Sequence, residues 1–302
     1  MSFDKPILFL VFNRPLPTLV VFEAIRAQRP SKLYIAADGP RLNRQGEKEL
    51  CEETRNTVLK AIDWPCTVST LLRDDNLGCG KAVSSAINWF FHQEEEGIIL
   101  EDDCVPDHSF FSFCACMLDR YKEEAHIYHI NGSNFQMGHT RGDASYYASR
   151  YAHIWGWATW RRAWKQYDFT MNKYAGRSKE GLNAMLLDEL QSIYNKEVDT
   201  WDIQWFFSVW FNQGWCITPN YSLVKNIGYG KDATHTHQTP SWFKHIRYGT
   251  LPVITHPSVL ICDTTADRFT ADTLYNSSGL VKKLKKIVKT NPILNKLYQL
   301  LS

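Results

Sequence analysis

GIILEDDCVP (residues 97–106) is a glycine, three aliphatic residues, three adjacent carboxylates and a turn. The apolar run has the composition of a strand buried on both faces, as the strands of a parallel sheet are. Glu101, Asp102 and Asp103 then repel one another where solvent screens poorly, so something must compensate them. Three similar runs precede this one: PILFLVF (6–12), KLYIAAD (32–38) and CTVSTLL (66–72). Helical patterns are expected between them, near 17–27, in the polar stretch through Ile62, and near 81–92. Strands separated by helices predict a mixed, mostly parallel α/β sheet with helices on both faces. Ligands of such sheets bind at the carboxyl ends of the strands. Each run is followed there by polar chemistry: Asn13 and Arg14, then Asp38, then Arg73 to Lys81, then the acidic triplet.

The chain has 302 residues, 44% hydrophobic and 14% aromatic, enough to bury a large core. Its 34 Lys and Arg against 32 Asp and Glu leave a formal charge of +2, too balanced for a nucleic-acid binder. The eight cysteines contain no CxxC pair, and several sit inside apolar runs, which fits a reducing compartment. The N-terminus passes straight into strand chemistry without a signal-peptide pattern, and no apolar stretch reaches 18 residues. On these features a cytoplasmic location is expected.

Past residue 105 the pattern changes. A helix is expected near 109–122 and a short strand at YHINGSN (128–134). The aromatic stretch YASRYAHIWGWATWRRAW (147–164) comes next, then helical patterns near 180–195 and 202–212, strand-like WCITP (215–219) and the polar loop KNIGYGKDATHTH (225–237). From Thr273 to Ser302 there is no acid but six lysines, with Leu280, Leu284, Ile287 and Val288 at helical spacing. This basic amphipathic tail either lies on an anionic membrane surface or packs on the domain with a solvated lysine face.

Two nucleotide signatures are excluded. The turn FNRPLP (12–17) has no glycine where a dinucleotide fingerprint needs it, so an NAD enzyme is not expected. In DNLGCGKAVSS (75–85), Asp75 takes the place of the first P-loop glycine and Ala82 that of the magnesium-binding Ser or Thr. An acidic triplet with basic and amide residues on neighbouring loops remains. It suits a hard divalent cation, Mn²⁺ or Mg²⁺, with coordination positions left for phosphate oxygens. An acidic surface turn has the same composition.

The ordered set FLVFNRP, AADGP, NLGCGKAVSSAI, GIILEDDCVPDHSFF, WGWATW, TWDIQWFFSVW and VKNIGYGKDATHT resembles the GT-A glycosyltransferases over roughly residues 5–237. It is most similar to the group containing N-acetylglucosaminyltransferase I. The resemblance implies a GT-A fold: residues 1–104 as a nucleotide-sugar-binding half, 105–272 as an aromatic-rich acceptor and catalytic half, and 273–302 as the basic helical tail. It implies that Arg14 contacts the nucleotide, that Asp38 accepts the base's imide hydrogen, and that Asn76 and Lys81 lie near ribose or diphosphate. Glu101 and Asp102 would face ribose or sugar, Trp157 with Trp155 and Gly156 would shape the sugar pocket, and Lys231 would be a further phosphate partner. Asp103 would hold the metal. His235 would ligate it too or contact diphosphate. Asp202 matches the helix-start base of an inverting transfer, although Ile203 stands where the family has a second aspartate; Asp199 is a backup, and a helix-capping role explains either acid.

The implied activity is metal-dependent, inverting transfer of a sugar, N-acetylglucosamine by analogy, from a UDP-sugar to a glycan or lipid-linked saccharide. The tail would bring the enzyme to the inner face of a membrane. Two rival classes are a nucleotidyltransferase that makes the sugar nucleotide and a non-catalytic carbohydrate-binding protein. Against the first stands the glycine-free turn after the first strand.

Overall fold

A computed structural model describes residues 3–229 and 239–275. Ten strands and eight helices are present among them. The first half runs β1 (Ile7–Val11), α1 (Pro15–Gln28), β2 (Lys32–Ala37), α2 (Glu47–Lys60), β3 (Thr67–Leu72), α3 (Cys79–Gln93) and β4 (Glu96–Glu101). The second continues with β5 (Cys104–Pro106), α4 (His108–Tyr121), β6 (Ile127–Asn131), β7 (Tyr146–Ser149), β8 (Trp157–Trp160), α5 (Arg161–Trp164), α6 (Ala184–Tyr194), α7 (Asp202–Phe211), β9 (Trp215–Pro219), β10 (Val224–Asn226) and α8 (Thr264–Leu274).

One eight-stranded sheet spans both halves in the order β3-β2-β1-β4-β8-β6-β9-β7. The first four strands are parallel. β8 lies antiparallel between β4 and β6, β9 is parallel to β6, and β7 is an antiparallel edge. The sheet is therefore mixed and mostly parallel, flanked by helices. The continuous apolar runs follow from burial on both faces. In β1, Ile7, Phe9 and Val11 face one core with Phe22 of α1 and Phe110 of α4. Leu8 and Leu10 face another, with Ile87 and Phe90 of α3 and Trp205 of α7. Each such side chain contributes about 1.5–3 kcal/mol by leaving water.

Local chemistry sets the helix ends around the sheet's carboxyl edge. α1 opens on Pro15, which lacks the N–H that a first helical position leaves unpaired. Asp107 caps α4 by accepting from the Ser109 N–H at 2.9 Å. α7 is apolar nearly all round because it is packed on both sides: Trp205 and Val209 face the sheet, while Phe206, Phe207, Trp210 and Phe211 face Leu186, Leu190 and Ile193 of α6. Its one first-turn acid, Asp202, is left at the N-terminus, where the helix dipole favours it. α8 runs two residues beyond the expected start of the tail. The rest of that tail, 276–302, lies outside the described residues. Among the described residues no helix is long and apolar enough to cross a membrane.

Candidate active site at the carboxyl edge of the sheet

β1 pairs with both β2 and β4, so the segments leaving these strands emerge side by side. Arg14 turns inward there. Its Nε donates to Asp102 Oδ2 at 3.3 Å, and one terminal nitrogen donates to Asp102 Oδ1 and to Asp103 Oδ2, the latter at 3.0 Å. Burial opposes the Arg14 charge, but the two aspartates outweigh it and hold the guanidinium above its ordinary pKa. Arg14 thus supplies compensation for the triplet from within the chain.

Glu101 is compensated least. Its Oε1 is buried with no hydrogen-bond partner. Burial raises its pKa well above the usual range, and Asp103, Asp102 and Asp202 push the same way. Asp202 belongs to α7, a hundred residues further on in the chain. Cys79 stands at the start of α3. Burial pushes its thiol up to about 12, with Glu101, Asp202, Asp199 and Asp38 adding to the shift.

Asp38 stands at the end of β2. Asn76 Nδ2 donates to its Oδ2 at 2.9 Å and to Gly39 C=O at 2.8 Å, and the Leu77 N–H donates to both carboxylate oxygens at 3.1 Å. Burial raises the Asp38 pKa against the backbone N–H groups of Leu77, Gly39 and Gly78 and the Arg73 charge. Asn76 therefore positions Asp38 directly. Lys81 lies exposed in the first turn of α3.

β5 and β10 form a two-stranded ribbon that lays residues 226–229 over Asp103. The Ile227 N–H donates to Asp103 C=O at 2.8 Å, and Asn226 Nδ2 reaches Asp103 Oδ1 at 3.5 Å. Gly228 packs so close that a Cβ there would stand 2.1 Å from Asp103 Oδ2. The next residues of this loop, including Lys231 and His235, lie outside the described residues.

Trp157 is placed differently from the expected sugar-pocket residue. It is 0% exposed. Its ring is stacked 5.0 Å from His129 and 5.8 Å from Trp201 in the core beneath α7. A residue of β8 central to the sheet has both faces covered, so this indole meets no solvent. Trp155 instead joins an aromatic wall with Phe135 at 5.0 Å, Tyr229 at 5.7 Å, Trp242 at 6.1 Å and Phe243 at 5.9 Å. Tyr229 ties that wall to the triplet: burial and then the Asp103 charge raise its pKa. Arg55, whose guanidinium donates to Asp38 C=O at 3.0 Å, was also not singled out in the sequence; an arginine in a polar helical stretch carries no signal of a partner 17 residues away.

Among the described residues no three His, Cys, Asp or Glu side chains form a group able to hold a metal ion. A Mg²⁺ or Mn²⁺ ion on a diphosphate needs only one or two protein carboxylates, the rest of its shell being phosphate oxygens and water. The buried, unpartnered Glu101 Oε1 and the neighbouring Asp103 carboxylate have the hard-oxygen chemistry for such an ion.

No family model matches the sequence, and no curated protein matches it significantly. Several solved structures are similar at 11% identity. UDP-glucose pyrophosphorylase complexed with UDP-glucose has a TM-score of 0.39, covering 81% of this chain and 97% of its own. Mouse xyloside xylosyltransferase 1 in its apo form also scores 0.39, covering 68% and 81%. HddC from Yersinia pseudotuberculosis scores 0.35, covering 52% and 77%.

Proposed function

We propose that the protein is a metal-dependent, inverting glycosyltransferase that moves a sugar, N-acetylglucosamine in the leading case, from a UDP-sugar to a glycan or lipid-linked saccharide. The observation that supports this is a chain of contacts from Asp38 to Asp202: Asn76 and the Leu77 N–H hold Asp38, Asp199 accepts the Gly80 N–H of the same loop at 2.9 Å, and the Thr200 hydroxyl donates to Asp202. A transfer site needs donor-side carboxylates and an acceptor-side base facing each other.

In this reading Asp38, held by Asn76 and Leu77, accepts the imide hydrogen of the base. Arg14 fixes the Asp102 and Asp103 carboxylates. Asp103 would hold a Mn²⁺ or Mg²⁺ ion, whose chemistry when bound would be to offset negative charge on a departing diphosphate. Asp202, which accepts from the Thr200 hydroxyl, takes the proton of the acceptor oxygen on the face opposite the leaving group. Lys231 and His235 complete the phosphate side, and the 273–302 tail brings the enzyme to its acceptor at a membrane face. α1 begins only four residues after β1 ends, which leaves no glycine-rich loop to wrap a nucleoside triphosphate; that favours transfer over nucleotidyl chemistry.

The test is a thermal-shift screen of UDP-sugars with and without Mn²⁺, followed by product analysis. Metal-dependent stabilisation and free UDP with a lengthened glycan are expected. Pyrophosphate-dependent formation of UTP, or no uptake of any UDP-sugar, refutes the proposal.

A further inference from the structure

Asp199 precedes α7 but caps a different helix. Its Oδ1 accepts the Gly80 N–H at 2.9 Å, in the first turn of α3. α3 has no side-chain cap of its own, because Gly78 occupies its N-cap position. A carboxylate from the second half thus satisfies a helix N-terminus in the first, a place where an anion is favoured. That end of α3 is therefore already occupied by a chain carboxylate.

The two glycines flanking Cys79 carry the imprint of this contact. A Cβ on Gly78 would stand 2.5 Å from Asp199 Oδ2, and Gly78 has a φ of +81°. A Cβ on Gly80 would stand 2.7 Å from Asp199 Oδ1 and 2.7 Å from Thr200 C=O. Only a GxG turn admits the 199–200 segment at this distance. On one side the turn continues into Leu77 and Asn76, which hold Asp38. On the other, the Thr200 hydroxyl donates to Asp202, and Gln204 Nε2 fastens Thr200 C=O at 2.8 Å.

We infer that Asp199 is a positioning residue of the transfer site, latching the donor-side loop 76–80 to the segment that carries Asp202. It rests on the glycosyl-transfer function proposed above. Its carboxylate acts as a hydrogen-bond acceptor toward Gly80, and the latch fixes how far the donor loop stands from the base.

The experiment compares wild type, Asp199→Ala and Asp199→Asn with UDP-N-acetylglucosamine and Mn²⁺, measuring the Kd of UDP, the donor KM and kcat for UDP release, and the Tm. Asp199→Ala is expected to raise the UDP Kd and donor KM about tenfold and to lower kcat by a similar factor. Asp199→Asn keeps an oxygen facing Gly80 and is expected to stay within about threefold of wild type. An Asn variant as impaired in kcat as the Ala variant makes Asp199 a proton acceptor instead and overturns the latch. Variants with lowered Tm but unchanged KM and kcat overturn it as well, leaving a purely structural cap. A wild-type protein that neither binds UDP nor turns over the donor refutes the proposed function, and the positioning role with it. Turnover by wild type with all three proteins alike refutes the role alone.

Discussion

Arg14→Met removes the guanidinium that bridges Asp102 and Asp103 while keeping an unbranched side chain. Three acceptor atoms lose their donor: both oxygens of Asp102 and Oδ2 of Asp103. Removing one partner of a fully buried ion pair costs about 3–5 kcal/mol. The side chains of Arg14 and Asp103 are 20% and 18% exposed against 6% for Asp102. That partial access puts the expected loss at the low end, about 3 kcal/mol. At about 2.1 cal/mol/K per residue, a chain of 302 residues then loses roughly 5 °C in Tm. The assay is thermal and urea unfolding at pH 7.5 of wild type, Arg14→Met, Asp102→Asn and the double variant. In the double variant the more buried of the two uncompensated charges is gone, so it is expected to be more stable than Arg14→Met, with a coupling energy of about 1–3 kcal/mol. Mn²⁺ added to Arg14→Met is expected to restore part of the loss, since a cation at the triplet replaces the missing positive charge. An Arg14→Met protein that melts with wild type, or single effects that add without coupling, refutes the assignment of Arg14 as the compensating group.

Asp202→Asn is expected to lower sugar transfer by about 10²–10⁴-fold while leaving the UDP Kd unchanged, as loss of a base requires; retention of more than a tenth of the wild-type rate removes Asp202 from that role. His129 accepts from Trp205 Nε1 at 3.0 Å and bonds His153 C=O at 3.0 Å, and burial lowers its pKa to about 4 and that of His153 to about 3. Because both folded values lie below the unfolded one, the native state binds fewer protons. Stability is full above about pH 6.5 and falls as the pH drops toward the folded values, by roughly 2 kcal/mol at pH 5 for each histidine. A Tm that stays flat from pH 7.5 to 5 in Glu101→Gln, which removes that acid's opposite titration, contradicts this. Gly228→Ala places a methyl group 2.1 Å from Asp103 Oδ2. It is expected to cost about 1–3 kcal/mol in stability through overpacking and to weaken Mn²⁺-dependent uptake of UDP-sugar; unchanged unfolding and uptake would count against the tight seating of the 226–229 loop.

The first half of the fold was readable because strands buried on both faces leave unbroken apolar runs, as 6–12, 32–38 and 97–100 do at β1, β2 and β4; β3, within 66–72, is a half-exposed edge strand read from its β-branched residues. The second half was harder for a related reason. In 147–164 nearly every position is aromatic or small, so no period of two or 3.6 stands out, and β7 and β8 were not separable from a helix. β5 and β10 have three residues each, too few for any pattern, yet their pairing is what carries residues 226–229 onto Asp103. α8 was missed as well, since Asp263, its N-cap, is followed by a mainly polar helix with only Ala266 and Thr270 buried.

That Arg14, Asp38 and the triplet stand at strand ends followed from the carboxyl-edge rule, but their pairings did not, and the difference is one of range. Position at a strand end is a local property, visible in a ten-residue window. Which side chain meets which is decided by packing between elements far apart in sequence: Arg14 finds Asp102 across 88 residues and Asp199 finds Gly80 across 119. The triplet's repulsion announced only that a positive charge was required. An ion and an arginine satisfy that requirement equally well in a sequence, and burial chooses between them or uses both. With Arg14 spent on Asp102 and one oxygen of Asp103, the group still lacking a partner is Glu101, the first acid of the three. The demand for a cation or a hydrogen-bond donor is therefore concentrated on Glu101, at the end of β4.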